Sequence, residues 1–325
     1  MDQNFKDIKK NLVQVLAKLD QKKLDEDVSY LKAAKIKLNQ MILPYLASLD
    51  DAQERFIKHQ ISKLVAFYSG GLAFLLFQNF ASLRLLSHDA YNDKQQLKKE
   101  AYSCGIAIAH LRRETPCAFA KDLGDGHIEL NGLLPWASGF RIYDYVIIGF
   151  HYQNQEALAL VPFKESQSFV ISKPIETFVA NAVNTVSVQL NQYVIDKNAL
   201  IKQEALGFFR EVSKNSINML SLLTGINERA IDLLNKKEPE IANQFSKKLN
   251  KIEGILLSNE NIVDTRLDLL HLSQVIISFL AATTGGKSAL IENPIQRLYR
   301  ESLLFSLSGI SVDIVDIFRE RLLNQ

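Results

Sequence analysis

The chain has 325 residues, 47% of them hydrophobic and 23% charged, enough apolar side chains for two or three domains and too many for a disordered chain. Its 38 basic and 36 acidic residues leave a formal net charge of +2, so no whole-protein field gathers nucleic acid. Cys104 and Cys117 are the only thiols; they are too few for a disulfide framework, and without His or Asp at ligand spacing no metal site is expected.

The first hundred residues read as helix. Ile8, Leu12, Val15, Leu16 and Leu19 share one helical face, and Val28, Leu31, Ala34 and Ile36 lead toward Met41, with Pro44 near that helix's end. Asp50 and Asp51 precede a helix over 52–68, where acidic residues suit a helix start. Gly70-Gly71 interrupts the pattern, 72–86 reads as a buried core helix, and 93–107 as one more helix. The N-terminus carries charges where a signal peptide needs an apolar core, and no uninterrupted apolar run reaches the length of a membrane span. The expectation is a cytoplasmic protein.

The texture changes near Pro116. His127-Ile128-Glu129-Leu130 reads as a strand and Asn131-Gly132 as a tight turn. Residues 143–150 are nearly all apolar and read as a strand buried on both faces, joined through Gln153-Asn154-Gln155-Glu156 to another over 157–163. Segments 169–175 and 185–190 complete at least five strands without intervening helices, which indicates an antiparallel sheet or small barrel.

Helix resumes near Asn198. An apolar face runs over 200–223 and stops at Thr224-Gly225, a polar helix follows over 229–256, and 264–282 is apolar enough for the middle of a bundle, ended by Gly285-Gly286. A last helix spans 294–323 with a possible break at Ser308-Gly309. The predicted fold class is therefore α+β: an N-terminal helical domain (1–112), a small antiparallel, barrel-like β domain (113–197) and a C-terminal helical bundle (198–325). Thr284-Gly285-Gly286-Lys287-Ser288 ends like a phosphate-binding loop but lacks the earlier glycine and the preceding strand.

Three segments carry a family pattern. The first is Asp125-Gly126-His127-Ile128-Glu129-Leu130-Asn131-Gly132, continuing through Pro135-Trp136-Ala137-Ser138-Gly139. The second is 143–150 followed by 157–162, and the third is Gly285-Gly286 with Asn293-Pro294-Ile295-Gln296-Arg297-Leu298-Tyr299-Arg300-Glu301. In this order they resemble the acyl-CoA dehydrogenase family. The resemblance implies FAD as cofactor, an acyl thioester or related small molecule as substrate, and assembly as a homo-dimer or tetramer. It also implies Trp136 as the wall against the flavin, Ser138 as a hydrogen-bond donor to its edge, and the backbone at Ala109 and His110 beside its pyrimidine side. Read without the family, the only tryptophan is a core residue and Ser138-Gly139 a turn.

The sequence departs from the family in four places. His110-Leu111-Arg112-Arg113 replaces the usual Thr-Glu-Pro segment; the arginine pair suits either a phosphate or a solvated corner. The family's catalytic Glu would fall on Gly309, or on Ser308 after a one-residue shift, and neither is a base at neutral pH. Asp196 and Glu204 do not sit at the alternative position for that base. Ala282 stands where the family has a Gln for the ADP half of FAD. The catalytic residues are thus unassigned, and three readings follow: a thioester-oxidising flavoprotein, a repurposed scaffold that binds flavin, an acyl thioester or a protein partner, or an unrelated helical interaction protein with a β insertion.

Overall fold

A computed structural model describes residues 3–86, 103–113, 115, 117–214, 218–258, 262–307 and 312–324. The chain packs as two compact units: Met1–Phe74 with Phe178–Ala180 and Lys214–Gln325, and Leu75–Thr177 with Asn181–Ser213.

The first unit is helical. Helices α1 (Gln3–Leu16), α2 (Gln21–Glu26), α3 (Val28–Leu46) and α4 (Asp51–Tyr68) open it. Asp20, Asp27 and Asp50 accept backbone N–H bonds from Lys23, Tyr30 and Gln53 at the starts of α2, α3 and α4, which satisfies donors the helices themselves leave open. Helix α5 (Gly70–Leu86) begins here, and its residues from Leu75 onward pack with the sheet unit.

The later helices differ from the sequence expectation. The run predicted as one helix over 200–223 is a strand, Leu200–Ala205, then α6 (Phe208–Lys214) and α7 (Asn218–Asn235). Gly225 does not stop α7. A Cβ there would lie 2.1 Å from the Lys63 carbonyl oxygen, so the glycine permits close approach of α7 to α4. The polar helix starts later than predicted, as α8 (Pro239–Ser258). Helix α9 (Ile262–Thr284) is followed by Gly285 at φ +70°, the left-handed residue that closes helices. Among the described residues one helical stretch, Ile262–Ala289, is long and apolar enough to cross a membrane. Its apolar residues Leu269, Leu272, Ile276, Ile277 and Leu280 are buried in the unit's interior, where it packs on α7, α8 and α10 (Pro294–Leu307). Helix α11 (Val312–Leu323) ends the chain. The predicted break at Ser308-Gly309 lies outside the described residues.

The second unit holds eight strands: β1 (Cys104–Ala107), β2 (Ala118–Asp122), β3 (His127–Ala137), β4 (Tyr145–Tyr152), β5 (Gln155–Pro162), β6 (Phe169–Ile171), β7 (Val186–Asp196) and β8 (Leu200–Ala205). Their order is β6-β7-β3-β2-β4-β5-β8, with β1 beside β4. The sheet is mixed rather than antiparallel, because β1 and β2 each pair parallel to β4. The predicted helix over 93–107 is corrected at its end, where Cys104–Ala107 is strand β1; residues 87–102 lie outside the described residues. Pairing with β4 overrides weak local preference, and the Cys104 carbonyl accepts bonds from Asn79 Nδ2 and Ser82 Oγ on α5.

Gln153 and Asn154, both at positive φ, form the two-residue turn between β4 and β5. Asn131-Gly132, in contrast, is not a turn but lies within β3. A Cβ on Gly132 would fall 2.2 Å from the Cys117 carbonyl oxygen, so the glycine serves close strand approach. The core of this unit gathers Leu111, Ile147, Leu158, Leu160, Ile201 and Phe209. Burial of Ile201 in that core, and pairing with β5, holds 200–205 as a strand despite its Lys-Gln-Glu sequence. The buried Glu156 carboxylate accepts the N–H groups of Gly207 and Phe209, both at 2.9 Å, at the start of α6.

Candidate functional site at the ends of strands β3 and β7

Strand β3 sets the site through a change of phase. Leu134 faces Val188 across the pairing with β7, and the next pair is Ala137 with Val186. One extra residue on β3 is therefore accommodated, a β-bulge over Pro135-Trp136. Proline suits that place because it has no N–H to lose from the ladder. Without the bulge Trp136 would point to the buried side with Leu134. With it, Trp136 is 48% exposed and Ala137 is fully buried. Leu133, 41% exposed, lies on the same outer face, in a cross-strand row with Gln189 and Val170.

Directly after the bulge the chain turns inward. Ser138 is buried, and its Oγ lies 2.9 Å from Thr185 Oγ1. Backbone bonds from Gly139 N to Val183 O (2.9 Å) and from Phe140 N to Asn184 O (3.2 Å) hold the two segments in place. The Asn184 side-chain amide returns a bond to Phe140 O at 2.6 Å. Two hydroxyls that share one hydrogen bond keep a second hydrogen for a further acceptor. An exposed indole can stack against a flat ring, and a hydroxyl pair with a hydrogen to spare can donate to an acceptor on such a ring's edge.

The segment after β1 behaves differently from its side-chain expectation. Ala109–Arg112 is a short 3-10 turn packed against β3. The His110 imidazole is buried and Nε2 donates to Gly149 O at 2.8 Å. Burial lowers its pKa to about 4, against a smaller opposing pull from that bond, so the ring is neutral and engaged in the core. What Ala109 and His110 can offer a ligand is their backbone. The arginines part company: Arg112 is half-buried, and desolvation lowers its pKa, whereas exposed Arg113 places Nη1 3.7 Å from Cys117 Sγ.

The acidic residues weighed as bases are engaged locally. Asp196 Oδ1 accepts from Asn198 N at 2.7 Å, and Glu204 pairs with Lys202 at 2.9 Å. Ser308 and Gly309 lie outside the described residues. In the helical unit, Glu301 on α10 is buried, with Oε1 accepting from Gly70 N at 2.8 Å and Oε2 without a hydrogen-bond partner among the described residues. Burial raises its pKa above the ordinary Glu range, and Arg297, 4.0 Å from Oε2, opposes this only in part. Sequence reasoning missed Thr185, for which nothing local signals a role. It also missed the bulge, although a proline beside a tryptophan within a strand is such a signal.

No protein-family profile and no curated protein matches the sequence. Solved structures do match along nearly the whole chain. A glutaryl-coenzyme A dehydrogenase in its glutaryl-CoA complex superposes with a TM-score of 0.79 at 13% identity, covering 98% of this chain and 94% of its own. Butyryl-CoA dehydrogenase from Megasphaera elsdenii gives 0.77 at 12% identity, covering 100% and 99%. KijD3 in complex with FMN and dTDP-3-amino-2,3,6-trideoxy-4-keto-3-methyl-D-glucose gives 0.76 at 14%, covering 100% and 95%. At such identities the likeness is one of fold, and on that ground the chain has the acyl-CoA dehydrogenase-like fold.

Proposed function

We propose that this chain is an acyl-CoA dehydrogenase-like flavoprotein whose flavin lies against Trp136 with its edge at Ser138. The observation that carries the reading is the Pro135-Trp136 bulge, which turns a large aromatic side chain outward two residues before the buried Ser138, whose hydroxyl pairs with the half-buried Thr185. A strand that wanted only a core would keep Trp136 in phase with Leu134. The residues present fit the ring half of the cofactor: a flat wall, one donor hydrogen from Ser138 and Thr185, and the backbone of Ala109 and His110. FAD is the proposed form.

A bound flavin supplies a hydride acceptor. The chain's own part is to cover one face of the ring with the indole, which excludes water there, and to hold a hydrogen bond at its edge through the hydroxyl pair. The proposed reaction is oxidation of an acyl thioester. A second reading, a repurposed scaffold that keeps the flavin and acts on or binds another partner, draws support from KijD3, whose TM-score of 0.76 stands beside 0.77 for butyryl-CoA dehydrogenase. Self-association as a dimer or tetramer belongs to the same proposal. The exposed stripe of Val315, Phe318 and Leu322 on α11 supports it, and light scattering reads it.

The test is direct. Purified protein titrated with FAD and with FMN should quench Trp136 fluorescence and show flavin absorbance after desalting. Colourless protein that takes up neither flavin sinks the reading. Anaerobic bleaching by acyl thioesters then separates the two functions: bleaching supports dehydrogenation, and its absence across chain lengths supports the repurposed scaffold.

A further inference from the structure

Between the two segments proposed to hold the flavin lies a side chain that reaches neither surface. Tyr143 is 2% exposed, and its hydroxyl donates to Leu75 O at 2.6 Å. Burial raises the phenol's pKa well above its ordinary value, so the hydroxyl remains a donor. Ile142 N and Tyr143 N both bond Gly139 O at 2.9 Å, which folds the tyrosine back over the residue that follows Ser138. The fit is close on two sides. A Cβ on Gly139 would lie 2.1 Å from Tyr143 Cδ2, and one on Gly105, in β1, would lie 2.7 Å from the same atom. Gly139 has φ +89°, so its backbone also favours glycine; Gly105 has no such restriction, and there only packing excludes a side chain.

We infer that Tyr143 is the positioning residue of this site: its ring, held between Gly105 and Gly139, fixes the placement of Ser138 and Trp136 relative to β1 and the Ala109–His110 turn that β1 leads into. The inference rests on the flavin reading for what is bound, while the packing belongs to the chain alone. Sites held to within a fraction of an ångström depend on such supporting residues. The phenol acts through the two glycines and touches no reacting atom.

Trp136 is the only tryptophan, so its fluorescence reads the site with or without flavin. Full-length Tyr143→Phe, Tyr143→Leu, Tyr143→Leu with Gly105→Ala, and Ile147→Ala as a core control in the same unit are compared. The readouts are iodide quenching of Trp136, flavin affinity by anisotropy and melting temperature. Tyr143→Phe should keep quenching and affinity within about twofold, whereas Tyr143→Leu should alter quenching and weaken flavin roughly tenfold. Adding Gly105→Ala, which refills the space, should recover part of that loss. Should Tyr143→Leu not fold, Tyr143→Met carries the same comparison. Wild-type quenching and affinity in the Leu or Met variant overturn the inference and leave the flavin reading standing. So does an Ile147→Ala protein whose Trp136 changes as much. If the wild type takes up no flavin while Tyr143→Leu still alters Trp136 quenching, the flavin reading fails and the positioning role survives.

Discussion

Arg297 and Glu301, one turn apart on α10, hold opposite sides of a single helix break. The Arg297 guanidinium donates to Phe67 O at 3.0 Å and to Tyr68 O, the last carbonyls of α4, while Glu301 Oε1 accepts from Gly70 N at the start of α5. Cation on carboxyl end and carboxylate on amino end is the arrangement that helix dipoles favour. The Gly70-Gly71 interruption and the Arg-Leu-Tyr-Arg-Glu segment, far apart in sequence, are thus two halves of one junction.

The junction has no spare room. A Cβ on Gly70 would lie 2.6 Å from Glu301 Cδ and 2.7 Å from Phe305 Cε2. Gly70→Ala should destabilise the protein by about 1–3 kcal/mol, the usual cost of overpacking. Combining it with Glu301→Ala should give less than the sum of the two single effects, as read from thermal melts of all four proteins.

Glu301 also predicts a pH dependence. Its pKa in the folded protein lies above 4.5 because burial disfavours the carboxylate. Its contribution is therefore fully present below 4.5 and is lost as pH rises through the folded value. Glu301→Gln keeps an acceptor for Gly70 N and cannot ionise. Relative to the wild type it should gain stability with rising pH above 4.5, in denaturation midpoints taken across that range.

His110 works in the opposite sense. Its folded pKa of about 4 lies below the ordinary 6.5, so its contribution is present above 6.5 and is lost as pH falls from 6.5 toward 4. His110→Gln should lower stability at neutral pH by removing the fitted ring and its bond to Gly149. It should also flatten the decline between 6.5 and 4, measured by the same denaturation series.

A fourth test concerns the hydroxyl pair. Ser138→Ala should cost about 1 kcal/mol by leaving the Thr185 hydroxyl without its partner, and adding Thr185→Val should cost little more, because both partners are then apolar. Trp136→Ala, at a half-exposed position, should change the melting temperature little and reduce flavin uptake strongly. Equal uptake by the alanine variant would place the ring elsewhere.

The polar cluster around Glu253 inside the helical unit sets a further expectation. Glu253 Oε1 accepts from His59 Nε2 at 2.8 Å and from Lys63 Nζ at 2.7 Å, while His59 Nδ1 meets Ser221 Oγ at 2.7 Å. Burial alone would raise the Glu253 pKa, but these bonds and the Lys63 charge outweigh it and hold it at about 2. The stabilisation is present above 4.5 and is lost as pH falls toward 2. Glu253→Gln should therefore be destabilising at neutral pH, with the difference from the wild type shrinking on acidification through that window.

What could be read in the sequence was what local chemistry decides. Asp50 at the start of α4 acts through its carboxylate on a neighbouring N–H, and the Gln153-Asn154 turn and Gly285 at the end of α9 act through their own backbone. Other features were set by contacts distant in the chain. Gly132 and Gly225 look like turn residues locally, yet each exists to admit a backbone carbonyl, of Cys117 and of Lys63. Residues 200–205 have a helical composition and become a strand through pairing with β5. Within the site, the aromatic residue and the hydroxyl named from the resemblance are two residues apart at the end of β3, with Trp136 exposed and Ser138 buried; Thr185 and Tyr143 required the folded packing to be seen.

The bulge also determines which kinds of change this strand can accept. Side chains along β3 alternate between core and outer face, and the extra residue at Pro135-Trp136 resets that count just before Ser138. Replacing either residue alters one position. Deleting one of the two removes the bulge and leaves Leu134 and Ala137 on the same face opposite Val188 and Val186, whereas deleting a residue elsewhere in β3 shifts the parity of everything on one side of it. A single-residue deletion is thus accommodated at the bulge and opposed along the rest of the strand.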